Sequence, residues 1–244
     1  MKQLYVLLVL WLTIGSAVGQ NKVFGGHWYA GSEVGIFSNK TRMIVGELSK
    51  YSAGGSGVMP LYGFKIGRML NPYLAVETGI YAQPLNMVYQ YQNESQRVTG
   101  AAPFHFIMFP VRLNYRLQVL SEQLEAQIGV GLQYVDTRNQ LARESFSGSI
   151  VTPRHTSKDS LFYVGNVDIV RSSMINAEVS LGINWALSHR WTVSVFGRQA
   201  MGLANITRVE VDIRQNQEPV EKAEFTSRGS GFNLGLGIRY NLRK

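Results

Sequence analysis

The chain has 244 residues, no cysteine, 25 glycines, and 24 lysine and arginine residues against 16 aspartate and glutamate residues. The missing cysteines exclude a disulfide framework, a thiolate nucleophile and an iron–sulfur site. The basic residues form no run of five or six like charges that would indicate a nucleic-acid partner. Charged residues make up only 16% of the chain, against about 25% in a typical soluble domain. The length fits one large all-β domain.

The first twenty residues have the layout of a secretory signal peptide. Lys2 gives a short positive segment, Leu4 to Ile14 form an apolar core, and small residues precede Gln20. Eleven apolar residues at about 1.5 Å each cannot cross about 30 Å of hydrocarbon, so this segment is not a membrane helix. We therefore predict cleavage after residue 19, export, and a single mature domain over residues 20–244.

After Gln20, apolar residues alternate with polar residues and glycine at a period of two, which predicts β-strands. Eight such segments follow one another, most of them about nine to fourteen residues long. This length exceeds the five or six residues of an ordinary strand and fits the roughly 9–11 residues of a tilted membrane-spanning strand. In chain order, the apolar rows begin at Trp28, Tyr62, Leu74, Ile107, Leu124, Ile175, Trp191 and Phe232.

Long and short connections alternate along the chain. The short turns fall at Asn71-Pro72, at Leu120-Ser121-Glu122 and at Ser188-His189-Arg190. Four long connections on one side and three turns on the other are typical of a barrel in the outer membrane of a Gram-negative cell, with both termini in the periplasm. The predicted fold is all-β, an eight-stranded antiparallel up-and-down transmembrane β-barrel. The predicted long polar loops cover residues 38–57, 84–103, 138–172 and 207–227.

The residues opposite the apolar rows decide which face of the barrel is outside. They are charged residues, amides and many glycines, and glycine weakens strands on a soluble surface. A narrow lumen, by contrast, needs small side chains beside large ones. We therefore predict that the apolar rows face lipid and that a network of four acids and five bases closes the lumen. The predicted lumen network consists of Glu33, Lys65, Glu77, Arg112, Arg116, Glu125, Glu178, Arg198 and Arg239.

Two short motifs resemble those of PorT-like small outer-membrane barrel proteins. The run Ile107–Tyr115 (IMFPVRLNY) resembles the I-P-x-x-x-K/R-Y fourth strand of that family, and Gly202–Ile206 (GLANI) resembles its G-L-x-N-I signature. The chain departs from outer-membrane barrels in general by ending on Tyr240–Lys244 (YNLRK) rather than on an aromatic residue. The resemblance implies an outer-membrane β-barrel domain and no particular activity.

Three features leave alternatives open. Gly26-His27-Trp28 matches the G-x-W opening of lipocalins, which are soluble eight-stranded ligand carriers, although such a carrier would have apolar residues on its glycine-rich face. A small-molecule channel is a second alternative, but eight strands leave a lumen that side chains can fill. Residues 208–214 continue to alternate, so they form either a projecting ribbon with an exposed edge or a solvated loop.

No catalytic residue, metal ligand or cofactor is predicted. The four histidines lie in different connections or strand ends, and only lipid modification by His105 or His155 with a nearby serine stays open as an enzymatic alternative. We expect a non-enzymatic, monomeric barrel surrounded by outer-membrane lipid and lipopolysaccharide. Its long loops would bind an envelope polymer or a secretion-machinery protein. The four histidines are His27, His105, His155 and His189.

Overall fold

The computed structural model describes residues 27–46, 50–53, 57–92, 97–121, 123–138, 144–153, 158–216 and 219–242. The predicted signal peptide and His155 lie outside these residues. The described part of the chain contains no helix long and apolar enough to span a bilayer. It forms β1 (Trp28–Val45), β2 (Tyr51–Ala53), β3 (Val58–Met69), β4 (Leu74–Gln92), β5 (Arg97–Ser121), β6 (Leu124–Asp136), β7 (Glu144–Pro153), β8 (Lys158–Ile169), β9 (Ser173–Ala186), β10 (Trp191–Gly202), β11 (Thr207–Gln215) and β12 (Glu221–Asn241).

Eight of these strands form a closed antiparallel barrel. Their order around the ring is β1-β3-β4-β5-β6-β9-β10-β12, and β12 pairs back with β1. The last pairing places Val34 opposite Leu236 and Glu33 opposite Gly237. The predicted fold, an eight-stranded antiparallel up-and-down barrel, is therefore confirmed. We call the end with the short turns the turn end and the opposite end the loop end.

The apolar rows lie on the outside of the barrel. Phe64 on β3 is 69% exposed and Leu181 on β9 is 64% exposed, values that water would strongly disfavour for a whole face of a barrel. We call this surface the apolar belt. On β9 it runs from Trp185 to Ile175. The ten residue-to-residue steps between them on a tilted strand span about 25 Å along the barrel axis, the height of a lipid-facing band.

Aromatic side chains mark both borders of the apolar belt. At the turn end, the rings of Trp191 and Tyr240 meet edge to face with centroids 4.9 Å apart. Towards the loop end, the rings of Phe109 and Tyr134 lie 6.4 Å apart. Amphipathic aromatic rings at two levels are typical of the girdles at membrane–water interfaces.

The described residues of the four segments predicted as long polar loops lie beyond the apolar belt, where most of them form strands rather than irregular loops. β1 continues to Val45, β4 and β5 extend as one hairpin, and β7, β8 and β11 fall within the other two segments. On β4 and β11, the alternation there places mainly polar residues outside and apolar residues inside. Averaged over these two stretches, the composition therefore reads as polar although every second residue is buried.

An apolar core fills the barrel at the loop end. Met87 on β4, Ile206 before β11 and Phe225 on β12 are fully buried in one cluster. The rings of Tyr89 and Phe225 lie 5.5 Å apart, so the β4–β5 hairpin packs directly against β12 across the interior. Burial of this apolar surface holds the extended strands together beyond the membrane.

Residues 208–214, for which the sequence left a projecting ribbon and a solvated loop as alternatives, lie in the strand β11, and both edges of this strand are paired. β11 pairs with β12 through Val211 and Ala223 on one side. On its other side it pairs with β8, Val211 lying opposite Gly165. The exposed edge of the ribbon alternative is therefore absent, because a partner strand comes from the segment 138–172, whose own strand β8 the sequence pattern did not reveal.

Candidate functional site

Eight of the nine residues of the predicted lumen network are buried inside the barrel. The ninth, Glu125, lies at the turn end and keeps 29% of its side chain exposed. Because successive side chains of a strand point to opposite faces, residues two or four apart share the lumen. The eight residues that are at most 8% exposed are Glu33, Lys65, Glu77, Arg112, Arg116, Glu178, Arg198 and Arg239.

Glu33 is the centre of the network. Arg198 holds it with two hydrogen bonds in parallel, from Nη1 to Oε2 at 2.6 Å and from Nη2 to Oε1 at 2.7 Å. The ammonium group of Lys65 lies 2.7 Å from Oε1, and the hydroxyl of Tyr81 donates to Oε2 at 2.8 Å. Paired donors of this kind compensate the cost of burying a carboxylate. Side chains from β1, β3, β4 and β10 therefore meet at one carboxylate.

Arg112 and Glu178 form the second ion pair of the lumen. Nε of Arg112 lies 2.5 Å from Oε1 of Glu178, and Nη2 lies 3.3 Å from Oε2. The amide of Gln133 also donates to this carboxylate. Arg112 uses Nη1 to donate to the hydroxyl of Tyr81 at 3.1 Å, which links the pair to the group around Glu33.

Tyr29 lies at the centre of the part of the network that is nearest the turn end. Its hydroxyl donates to Glu77 at 2.8 Å and accepts a hydrogen bond from Nη2 of Arg116 at 2.9 Å. The guanidinium groups of Arg116 and Arg239 lie 5.0 and 5.3 Å from the centre of its ring. Arg239 lies 3.5 Å from Glu125, so Glu125 pairs with a residue far from it in sequence.

The same four-part arrangement occurs twice along the barrel axis. In each copy an arginine of β5 donates to a tyrosine hydroxyl, which donates to a glutamate, and the tyrosine ring covers a glycine of β3. A Cβ atom added at Gly63 would lie 2.3 Å from Cδ1 of Tyr81, and one at Gly67 would lie 2.3 Å from Cζ of Tyr29. The two copies are Arg112, Tyr81, Glu33 and Gly63, and Arg116, Tyr29, Glu77 and Gly67.

Sequence reasoning did not identify the two tyrosines and Gln133 as part of the network. All three occupy inward positions, Tyr29 on β1, Tyr81 on β4 and Gln133 on β6. The two tyrosines could have been recognised because each is a large aromatic residue on an inward row that otherwise consists mainly of glycines, charged residues and amides. Aromatic residues lie both on the apolar belt, as Phe64 does, and inside the barrel, as Phe106 does, so residue type alone gave no reason to separate these two.

A cavity of about 10 Å³ lies between the charged network and the apolar core. Its lining joins Phe37, Leu61 and Met108 of the core to Glu178 and Arg198 of the network. A space of this size holds about one water molecule. Side chains therefore fill the lumen at the level where the network meets the core.

Polar contacts also tie the strands together beyond the apolar belt. Lys50 forms an ion pair with Glu221 of β12, and the hydroxyl of Tyr51 lies 3.4 Å from the same carboxylate. Burial and the Glu221 carboxylate raise the pKa of Tyr51.

Within the described residues, no group of three His, Asp or Glu side chains is placed to bind a metal ion.

A closed antiparallel barrel of eight strands, with an exposed apolar belt and a charged lumen, is the architecture of the small transmembrane β-barrels. The structure is similar to that of outer membrane protein OprG from Pseudomonas aeruginosa, with a TM-score of 0.52 and 11% identity over 90% of this chain and 97% of that one. It is also similar to Neisserial surface protein A, with a TM-score of 0.44 and 14% identity over 89% and 99% of the two chains.

Outer membrane protein W from Escherichia coli is a third similar structure, with a TM-score of 0.42 and 11% identity over 91% of this chain and 100% of that one. At 11% identity, the similarity to OprG shows the fold alone, which is that of a small outer-membrane barrel. No family model matches the sequence, and no curated protein sequence matches it.

Proposed function

We propose that the protein is a non-enzymatic integral outer-membrane barrel with a closed lumen, which presents its loop-end β-structure to an envelope polymer or a secretion-machinery protein. The observation that carries this proposal is the filled interior. A charged network occupies the lumen inside the apolar belt, and an apolar core occupies the barrel beyond it. A barrel without a pore acts through its surfaces rather than through its lumen.

The contacts of the network support closure because they cross the lumen. Arg112 on β5 pairs with Glu178 on β9 and also approaches Glu33 on β1, at 4.0 Å. An ion passing through would have to separate these buried pairs, and stranding a buried charge costs several kcal/mol. The small-molecule channel is therefore the less favoured alternative, and the exposed apolar belt disfavours a soluble lipocalin-like carrier.

The orientation proposed here follows the usual arrangement of such barrels, with the loop end outside the cell and both termini in the periplasm. The barrel would be monomeric and surrounded by lipid and lipopolysaccharide. The two PorT-like motifs over Ile107–Tyr115 and Gly202–Ile206 support a place in that group of barrels. If cleavage after residue 19 occurs as predicted, export precedes insertion.

The loop end is suited to partner binding because it is built from strands on an apolar core rather than from loose loops. Among the described strands, β7 pairs only with β8, through residues such as Gly148 and Tyr163. A strand with one unpaired edge can accept a strand from another protein through backbone hydrogen bonds. We therefore place the proposed partner contact at the free edge of β7.

Cell fractionation tests the membrane part of this proposal. The mature protein is expected in the outer-membrane fraction, with heat-modifiable migration in mild detergent. Recovery in the soluble periplasm without detergent would contradict it and favour a lipocalin-like carrier.

Photo-crosslinking in intact cells tests the partner part. A photoreactive residue at position 149 of β7 is expected to give a discrete protein crosslink. The same residue at position 64, on the apolar belt, is the matched control and is expected to give none. Equal products from the two positions, or no product from position 149, would contradict the proposed contact.

A further inference from the structure

On four strands of the barrel, the outward apolar row ends near the loop end. Four residues farther along the chain towards the loop end, an exposed basic residue follows in each case. A small or acidic residue occupies the outward position between them, so each strand changes from apolar to basic over the same distance. The four pairs are Tyr134 on β6 with Arg138 two residues after that strand, Ile175 on β9 with Arg171 two residues before that strand, Phe232 and Arg228 on β12, and Ile36 and Lys40 on β1.

These basic residues lie on one side of the barrel. The strands that carry them are consecutive in the order β6-β9-β10-β12-β1, and β10 lies in the middle. The strand β10 is followed by Asn205, whose side-chain oxygen accepts a hydrogen bond from Arg228 at 3.1 Å. On β3 and β5, the corresponding outward positions beyond the belt carry Val58 and Pro103. The charge is therefore confined to about half of the circumference.

One of the four residues is already neutralised. Arg138 donates to both oxygens of Asp136, at 3.0 Å and 2.6 Å. These hydrogen bonds lower the pKa of Asp136 to about 2. The other three, Lys40, Arg171 and Arg228, form no ion pair with a described carboxylate. We call these three residues the basic rim.

Two basic residues farther from the apolar belt differ in this respect. Arg208 on β11 lies 3.0 Å from Glu210 and 2.7 Å from Glu224, and Lys50 pairs with Glu221. The basic rim thus places three exposed cations without a described carboxylate partner at the border of the belt. An exposed cation near a low-dielectric phase attracts an anion from the neighbouring solution or membrane surface.

We propose that the basic rim binds the phosphate groups of anionic lipids in the membrane leaflet at the loop end. Four residues of a tilted strand advance about 10 Å beyond the end of the apolar row. Long basic side chains can fold back over part of this distance and reach the headgroup layer, which is several ångströms thick on each side of the hydrocarbon. This inference rests on the proposed membrane insertion of the barrel.

The test measures binding of diphosphoryl lipid A to the purified full-length mature protein in detergent, beside a dephosphorylated form of the same lipid. The variant K40Q/R171Q/R228Q removes the basic rim. The matched control R208Q/R214Q/K222Q removes the same charge from the same end of the barrel, farther from the apolar belt. Heat-modifiable migration verifies that both variants are folded. If the triple rim variant does not fold, R171Q alone replaces it.

Each basic residue near a membrane surface contributes about a fivefold factor in affinity, so the rim variant is expected to weaken lipid A binding about a hundredfold. R171Q alone is expected to weaken it about fivefold. The control variant should bind within about threefold of the native protein, and inorganic phosphate at the lipid's concentration should not compete.

The proposal is overturned if the rim variant binds as the native protein does, or if the dephosphorylated lipid binds as tightly. It is also overturned if inorganic phosphate alone displaces the lipid, which would identify a site for free phosphate. Failure of the proposed membrane function is a separate result, because it would appear in the native protein as recovery in the soluble fraction.

Discussion

The hydroxyl group of Tyr81 joins two ion pairs, because it donates a hydrogen bond to Glu33 at 2.8 Å and accepts one from Arg112 at 3.1 Å. Without this hydroxyl, a buried carboxylate loses a donor and a buried guanidinium loses an acceptor. Removal of a buried hydrogen-bonding partner costs about 1–3 kcal/mol. Tyr81 therefore contributes to the stability of the barrel through its oxygen as well as its ring.

The variant Tyr81→Phe is expected to lower the free energy of unfolding by about 1–3 kcal/mol while the barrel still assembles. Urea unfolding in detergent measures the change. Tyr62→Phe is the matched control, because Tyr62 is 55% exposed on the apolar belt and its hydroxyl lies outside the lumen. Equal stabilities of the two variants would contradict the role given to Tyr81.

The variant Glu33→Gln is expected to destabilise the barrel more strongly, by about 3–5 kcal/mol, because it strands Arg198 and Lys65 in a buried site. Glu125→Gln is the matched control. Glu125 is partly exposed and lies 3.5 Å from Arg239, which also lies over the ring of Tyr29, so its loss should cost less than the loss of the Glu33 carboxylate. Unfolding of both variants under the same conditions gives the comparison. A cost for Glu125→Gln as large as that for Glu33→Gln would show that burial does not govern the network.

The apolar belt predicts that the cost of a charge depends on its depth in the membrane. Leu181→Arg, near the middle of β9, should cost about 2–4 kcal/mol and impair assembly, whereas the same change near the membrane border should cost at most about 1 kcal/mol. Leu203→Arg provides that second position, since Leu203 is 69% exposed and Leu181 is 64% exposed. Assembly yield and heat-modifiable migration report the difference. Similar effects at both positions would argue against a lipid-facing belt.

The close contact between Tyr29 and Gly67 predicts that a single methyl group is too large at this position. A Cβ atom at Gly67 would lie 2.3 Å from Cζ of Tyr29, so Gly67→Ala should cost about 1–3 kcal/mol by overpacking. Gly197→Ala is the control, because a Cβ atom there would meet only the ring of Phe232, at 3.2 Å. Thermal unfolding in detergent distinguishes them. A neutral Gly67→Ala would mean that the ring can move aside.

The period of two in the sequence predicts the closed barrel, its outward apolar rows and the inward position of the charged residues. It does so because the pleat of a strand forces this alternation locally. The ion pairs, by contrast, depend on the register of strands far apart in sequence, such as β1 and β10, which no local pattern specifies. Glu125 shows this, since it pairs with Arg239 rather than with the nearby Arg112 or Arg116.

The strands at the loop end were missed for a different reason. On β4 and β11 the outward residues beyond the belt are mainly polar, so most of the apolar residues there are inward ones, such as Leu85 and Val209. The polarity of the two faces is thus reversed between the apolar belt and the loop end, while the period stays the same. Where the apolar residues move from the outward to the inward face within one strand, the alternation in the sequence is interrupted. The sequence therefore suggested loops where β4, β5, β8 and β11 are found.

Planar-bilayer recording of the purified native barrel tests the closed lumen most directly. Because Arg112 and Arg116 lie in a network of buried pairs that crosses the lumen, the native protein is expected to insert without a steady conductance. Insertion is verified independently by protease protection in the same lipid. A steady open conductance in the native protein, enlarged when Arg112 and Arg116 are replaced by alanine, would show that these residues line a pore and would contradict the account.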